Sequence, residues 1–512
     1  MSGRSDKLNL DGLSNTEALN IIAMLVDQAS DTDNVSLIDH MVELADQLET
    51  RELQDDQLAL LDYFRANAWA CRYQRRYCDR ERLWDFDQPE IQQQIFHLRR
   101  AAHGPGFEAL DQLRKCQILT NLGNQFDAVG RFVEARASWN AALEVDPQFW
   151  MAMANRGQGL MYYASRLYDP GHEGVFALHA HRDLASAVDL ISTHPHLGDP
   201  GLRDLFAQTA EQIGQYYDLG AIGHSYRLDG WSLGDCAAEQ AYRRWCLNHT
   251  LFLNPLNDVA QASIASSDIL TLPNFTLPTG EPPIVTGMFN ELKQMLASAR
   301  WMLWEGTHAV DAHYSDQGVL LYDTLDYSSF GLSIEKVKMA FRLSYSIFDK
   351  IAYFLNFYLE LGIPAQQVSF RTIWFEKKGG ALRETVVKSE NWPLRGLYWL
   401  SKDLYEEGVK GTTEPEALAL AELRNHMEHR YVKVHERLMP VCSEHDRYHD
   451  PLAYYISRSD LEQKTLRLMQ LVRSALIYLS LTMHHEERRR AEDKEELVVP
   501  MPLVVLPDDF KR

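Results

Sequence analysis

The string Arg424-Asn425-His426-Met427-Glu428-His429 holds the side chains of this chain best suited to chemistry. It lies within AELRNHMEHRYVKVHE (421–436), and across this string and its flanks Leu420, Leu423, Met427, Tyr431, Val434 and Leu438 recur at three- and four-residue steps. That spacing predicts one long helix with a single buried stripe. With Met427 at the middle of the stripe, Asn425 falls at about 160° and His429 at about 200°, opposite the core, and Arg424 on a flank at about 60°. Asn425 and His429 are then one turn apart and can touch. Arg424 and His429 do not share a face of one straight helix. His429 is expected to stand beside Glu422, Lys433 and Glu436, on a face whose simplest cover is a second subunit that would pair its own Arg and His with these.

Histidine both takes and gives a proton near neutral pH. Arginine forks onto phosphate and holds developing negative charge. The two together suit metal-free RNA cleavage, in which a 2′-hydroxyl attacks the adjacent phosphorus. No Asp cluster for two-metal hydrolysis accompanies them. The same spacing is also what a solvated helix face carries by chance. His426 and His435 are expected to point elsewhere on the wheel, and His-Glu-x-x-His is absent, so neither a metal nor another cofactor is expected. MHHEERRR (483–490) reads as a solvated helix cap, and Lys377-Lys378-Gly379-Gly380 as a hairpin turn rather than a phosphate loop.

The elements that must position this string are helical. Apolar stripes over 285–303, 340–361, 420–438 and 468–483 predict four long helices packed side by side, with a short β-hairpin at QVSFRTIWFEKKGG and ETVVK inserted between the second and third. Upstream, Leu119, Leu122, Gly123, Phe126, Ala135, Trp139, Ala142 and Pro147 fit the 34-residue tetratricopeptide pattern. Arg156-Gly157 and Leu160 begin another copy, which Asp169-Pro170-Gly171 would interrupt, and QLALLDYFRANAWACRY suggests a degenerate earlier helix. Such repeats bind a protein or peptide along a concave side. The fold class is therefore all-α: a helical repeat region (16–240), an ordered connector (241–283), a four- to five-helix bundle with a small β-hairpin (284–490) and a C-terminal tail (491–512). The Pro- and Thr-rich stretch 270–287 cannot be helical and marks the boundary.

The formal charge of −21, from 72 Asp+Glu against 51 Lys+Arg, excludes a protein that coats nucleic acid non-specifically. Residues 421–440 count four cations against three anions, so a local basic site survives. Six cysteines, none as Cys-x-x-Cys, read as reduced thiols, and no segment has a secretory signal's apolar core or a membrane span. A cytoplasmic protein away from membranes is expected.

The Arg424–His429 string resembles the HEPN superfamily, whose hallmark is Arg-polar-x-x-x-His on the third helix of a four- to five-helix bundle. RLSYSIFDKIAYFLNFY (342–358), NWPLRGLYWLSKDL (391–404) and LFLNPLND (251–258) are similar to a HEPN subgroup with tetratricopeptide-like repeats in front. The resemblance covers most of residues 240–485. It implies a metal-independent endoribonuclease, a homodimer with a composite site, and a role in toxin–antitoxin systems or anti-phage defence. His429 would be the general acid–base group, Arg424 the phosphate-binding group and Asn425 an orienting residue, with Arg430 and Lys433 holding the RNA. Some HEPN proteins serve instead as RNA-binding or dimerising scaffolds.

Overall fold

The structure is a computed structural model that describes residues 9–32, 35–76, 85–193, 200–226, 228–278, 280–436, 447–492 and 503–511. Among these, eighteen α-helices stand beside one two-stranded sheet, so the protein is all-α with a small β element. None of these helices is long and apolar enough to cross a membrane. Cys78, Cys442, Arg437, Leu438 and residues 493–502 and 512 of the tail expected over 491–512 lie outside the described residues.

The first nine helices are α1 (Asn15–Thr32), α2 (Val35–Glu49), α3 (Asp55–Arg76), α4 (Pro89–His103), α5 (Gln112–Ala128), α6 (Phe132–Val145), α7 (Trp150–Ala164), α8 (Pro170–Thr193) and α9 (Pro200–Tyr216). They stack as hairpins: α3 packs on α4, α5 on α6 and α7 on α8. Trp139 of α6 shows how glycine sets the spacing. A Cβ on Gly123 of α5 would lie 2.5 Å from the indole Nε1, and one on Gly159 of α7 would lie 2.4 Å from Cζ3. Both neighbours are glycine because the ring fills the side-chain space. The indole then donates to Asn124 Oδ1 at 3.0 Å. Asp169-Pro170 does not interrupt the next pair. Asp169 accepts from the His172 N–H at 3.0 Å, and Pro170 opens α8, a capped helix start.

Short helices α10 (Leu219–Ser225), α11 (Ala237–Asn248) and α12 (Leu256–Val259) lead to residues 270–278 and 280–283, which carry no helix. The remaining helices are α13 (Ile284–His308), α14 (Leu332–Tyr358), α15 (Glu384–Val387), α16 (Trp392–Ser401), α17 (Ala417–His429) and α18 (Arg458–Glu492). Helices α13, α14 and α18 form the bundle, with α16 against α18 and α17 against α14. Phe375 and Leu382 form a single antiparallel bridge, closed by a Lys377–Gly380 turn in which Gly379 has φ +71°.

Buried ion pairs tie the two ends of the chain together. Arg473 of α18 donates to Asp258 Oδ1 (2.7 Å) and to the carbonyls of Phe252 (2.6 Å) and Asn254 (3.0 Å). LFLNPLND is thus the segment that wraps an arginine of the bundle. Arg99 and Arg131 of the N-terminal helices both fork onto Asp403, which also accepts from Thr413. Burial alone would raise the Asp403 carboxyl, but the two guanidiniums hold it far below the usual range. Tyr478 of α18 donates to Glu134 at 2.5 Å and accepts from the Val133 N–H at 3.1 Å.

Candidate active site

Helix α17 buries Ala417, Leu420, Ala421 and Leu423 and ends at His429, earlier than its apolar stripe suggests. Arg430 breaks the helix with φ −134° and ψ −138°. Residues Tyr431–His435 then form strand β1, paired in parallel with β2 (Ala453–Ser457), Tyr431 opposite Ala453 and His435 opposite Ser457. The expectation of one helix through residue 438 is corrected here over residues 430–436. Tyr431 and Val434 fit a helical stripe, but Tyr-Val-Lys-Val-His is β-branched and finds a partner strand some twenty residues on.

That turn relocates Lys433. Its residue is 6% exposed, and its ammonium pairs with Asp326, so it does not stand beside His429 as an RNA contact. Asp326 also accepts from Thr324, Ser328 and Tyr455. Burial alone would raise this carboxyl, yet Lys433 and the hydroxyls hold it well below the ordinary range. His435 contacts the Asp326 carbonyl at 2.7 Å and stacks on Tyr455. This cluster pins the segment before α14 to β1. Glu436 pairs with Arg458 at 3.0 Å.

Asn425 and His429 are exposed and line one open recess of about 490 Å³ together with Glu422, His426 and Arg430. Arg424 is not among its walls. Its guanidinium lies over the Tyr345 ring, 5.0 Å from the centroid, and 4.0 Å from Asp349 on α14. Glu428, one turn on, pairs with Arg342 of the same helix at 2.8 Å, which holds the Glu428 carboxyl below its ordinary value. The helix thus separates the two halves of the string, Arg424 toward α14 and His429 toward the recess.

His426 is the residue that the sequence misplaced. Three positions apart on a helix, it and His429 are neighbours, with Cβ atoms about 5–6 Å apart. The His426 Nδ1–H donates to the Glu422 carbonyl at 2.8 Å, and its ring packs on Tyr454 of β2 with centroids 5.3 Å apart. Arg430 Nη1 lies 3.5 Å from Nε2. One nitrogen is thereby fixed as donor, and the other accepts from Arg430, which also lines the recess. The helical wheel carried the hint, since about 60° separates the two histidines on it. The Tyr454 wall had no signal, because β2 is distant in sequence.

Three cations of the other basic strings pair within the chain. Arg489 pairs with Glu486 and Arg490 with Glu487, and Lys378 pairs with Glu406. Among the described residues, no three His, Cys, Asp or Glu side chains gather as a metal-holding group.

A helical bundle with an Arg-polar-x-x-x-His string on the helix preceding its last long helix defines the class of this C-terminal region. Residues 276–486 match the family model described as LA2681-like HEPN, and this part of the chain is a HEPN domain. The N-terminal helices lie outside that match. No curated protein and no solved structure matches the chain.

Proposed function

We propose that the protein is a metal-independent endoribonuclease of HEPN type that cleaves single-stranded RNA in the cytoplasm. HEPN domains are often ribonucleases, and one observation carries the reading to this chain: the recess at the end of α17 gathers His429, Asn425, His426 and Arg430. A 2′-hydroxyl would give its proton to an imidazole as its oxygen bonds to phosphorus. The P–O5′ bond then breaks, and the departing oxygen takes a proton from the other imidazole. The products are a 2′,3′-cyclic phosphate and a 5′-hydroxyl. His426, with Nδ1–H committed to the Glu422 carbonyl and Nε2 released when Arg430 turns to the substrate, suits the base; His429 suits the acid; Asn425 orients; Arg430 forks onto the phosphate. Arg424 belongs to the same chemistry if a second copy of the domain brings it across a two-fold axis, making a composite homodimeric site. The helical repeats would bind a protein or peptide that governs this activity, in the setting of a toxin or an anti-phage defence effector.

The test is incubation of labelled single-stranded RNA with the purified protein in EDTA. Fragments ending in 2′,3′-cyclic phosphate that vanish with His429→Ala support the reading. RNA bound but never cut would replace it with a second reading, an RNA-holding scaffold. The placement of Arg424 against Tyr345 and Asp349, away from His429, favours that alternative.

A further inference from the structure

The segment between α13 and α14 turns its apolar side chains to solvent. Val319, Leu320, Leu321 and Tyr322 follow one another and all stand more than half exposed, Leu320 at 77% and Tyr322 at 79%. Leu325, Tyr327 and Phe330 continue the patch. The backbone is open as well. Among the described residues, the N–H and C=O groups of Leu320, Leu321 and Tyr322 make no hydrogen bond. The end of the segment is nonetheless fixed. Asp326 pairs with Lys433 and accepts from Thr324, Ser328 and Tyr455, and the Ser329 N–H donates to the Val434 carbonyl at 2.8 Å. On either side of Asp326, Leu325 and Tyr327 take the left-handed backbone, φ +63° and +58°, which bulky residues adopt only at a cost. Residues 309–331 hold four aspartates and no lysine or arginine. Lys433 neutralises Asp326, whereas Asp311, Asp316 and Asp323 pair with no cation among the described residues.

We propose that residues 319–324 are a docking edge for an extended segment of another protein in which apolar residues alternate with lysine or arginine. An open backbone edge accepts an added strand through main-chain hydrogen bonds, and the flanking side chains supply specificity. Contiguous exposed apolar residues mark interaction surfaces. The unpaired carboxylates of Asp311, Asp316 and Asp323 select the sign of the partner. The phosphates of a nucleic acid or of an anionic membrane would be repelled. A second copy would set its own aspartates against these, and like charges facing across a strand pair are unfavourable. The apolar run Leu503–Leu506 of the tail fails for the same reason, because Asp508 and Asp509 follow it. The edge lies one anchor away from α17: Asp326 holds β1, which begins at the residue after Arg430 of the recess. A docked partner therefore bears on the position of Arg430. That consequence rests on the catalytic reading of the recess; the docking itself does not.

The test is fluorescence polarisation of labelled Lys-Val-Lys-Val-Lys-Val-Lys against the full chain. Three peptides serve for comparison: Lys-Ser-Lys-Ser-Lys-Ser-Lys, Glu-Val-Glu-Val-Glu-Val-Glu, and the first peptide with its main-chain nitrogens methylated. The first should bind, and the others at least about ten-fold more weakly. The double variant Leu320→Asn/Tyr322→Asn changes two exposed positions, so it should keep the parent's circular dichroism spectrum and lose the first peptide by a similar factor. The inference is overturned if the first peptide does not bind, or if the variant holds it as the parent does. It is overturned if the serine peptide binds equally, which is general attraction to a chain of net charge −21, or if the acidic or methylated peptide does. It is also overturned if the parent is a dimer that the variant splits, or if phosphatidylglycerol vesicles or single-stranded RNA bind the parent and not the variant. The surface then belongs to a second copy, a membrane or RNA. RNA cleavage by the parent is assayed alongside: peptide binding without cleavage supports the docking edge and rejects the catalytic reading alone.

Discussion

Arg131 and Asp403 meet at 2.7 Å with neither side chain exposed at all, one in the turn between α5 and α6, the other in the loop that leads into α17. The carboxylate is shared with Arg99 of α4, and Thr413 completes its shell. The loop that sets the start of the Arg424–His429 helix is thus clamped by the N-terminal helices. A rearrangement among α4–α6 has a direct mechanical route to the recess.

Asp403→Asn should leave two buried guanidiniums with only their longer contacts, Arg99 to Glu414 and Arg131 to Glu134, each at 3.5 Å. Breaking a buried pair from one side typically costs about 3–5 kcal/mol. Chemical denaturation followed by far-UV circular dichroism measures this, and a loss below about 1 kcal/mol would mean that the clamp is not a joint.

Lys433→Met should destabilise the protein by a comparable amount, about 3–5 kcal/mol, because Asp326 loses its cation in a buried site. RNA affinity and its salt dependence, measured on the folded fraction, should stay unchanged. A flatter salt slope would put the ammonium on the nucleic acid instead.

His484 stacks on Tyr168 and donates to the Thr271 carbonyl, at the junction of the repeats, the connector and α18. Burial pushes its pKa down to about 4 from 6.5, against the opposing pull of the Thr271 contact. A depressed histidine pKa means that the folded state disfavours the proton. Its stabilising contribution is complete above about pH 6.5 and is lost as the pH falls through about 4. Wild-type stability should therefore decline across that window. His484→Phe keeps a ring on Tyr168 and removes the titration, so its decline over the same window should be shallower. Identical pH profiles for the two proteins would reject the assignment.

Arg424→Ala and His429→Ala should each lower RNA cleavage, by about 10²–10³-fold for the phosphate-holding group and 10²–10⁴-fold for the acid–base group. Because Arg424 and His429 face different ways on α17, a composite site makes a further demand. Mixing the two inactive variants should form heterodimers with one intact site and restore activity above either alone. No recovery on mixing, with subunit exchange verified, would confine the chemistry to one protomer.

The amino-acid sequence by itself determined the helical character of the chain, because apolar residues at three- and four-residue steps leave a helix only one way to bury them. It also determined the Gly123–Trp139 hairpin, whose residues lie on consecutive helices within one repeat, and the outward placement of Asn425 and His429, one turn apart. Where α17 ends was decided elsewhere. Tyr431 and Val434 satisfy a helical stripe and a strand equally well, and only pairing with Ala453–Ser457 selects the strand. That choice buries Lys433 against Asp326, which is remote in sequence, and turns His426 toward the recess against Tyr454. The same holds for Arg99, Arg131 and Asp403: each is an ordinary charged residue in its own segment. Their burial as a clamp exists only once residues some 270–300 apart are folded together. Local periodicity fixes elements, whereas the partner of a buried charge is a property of the tertiary structure alone.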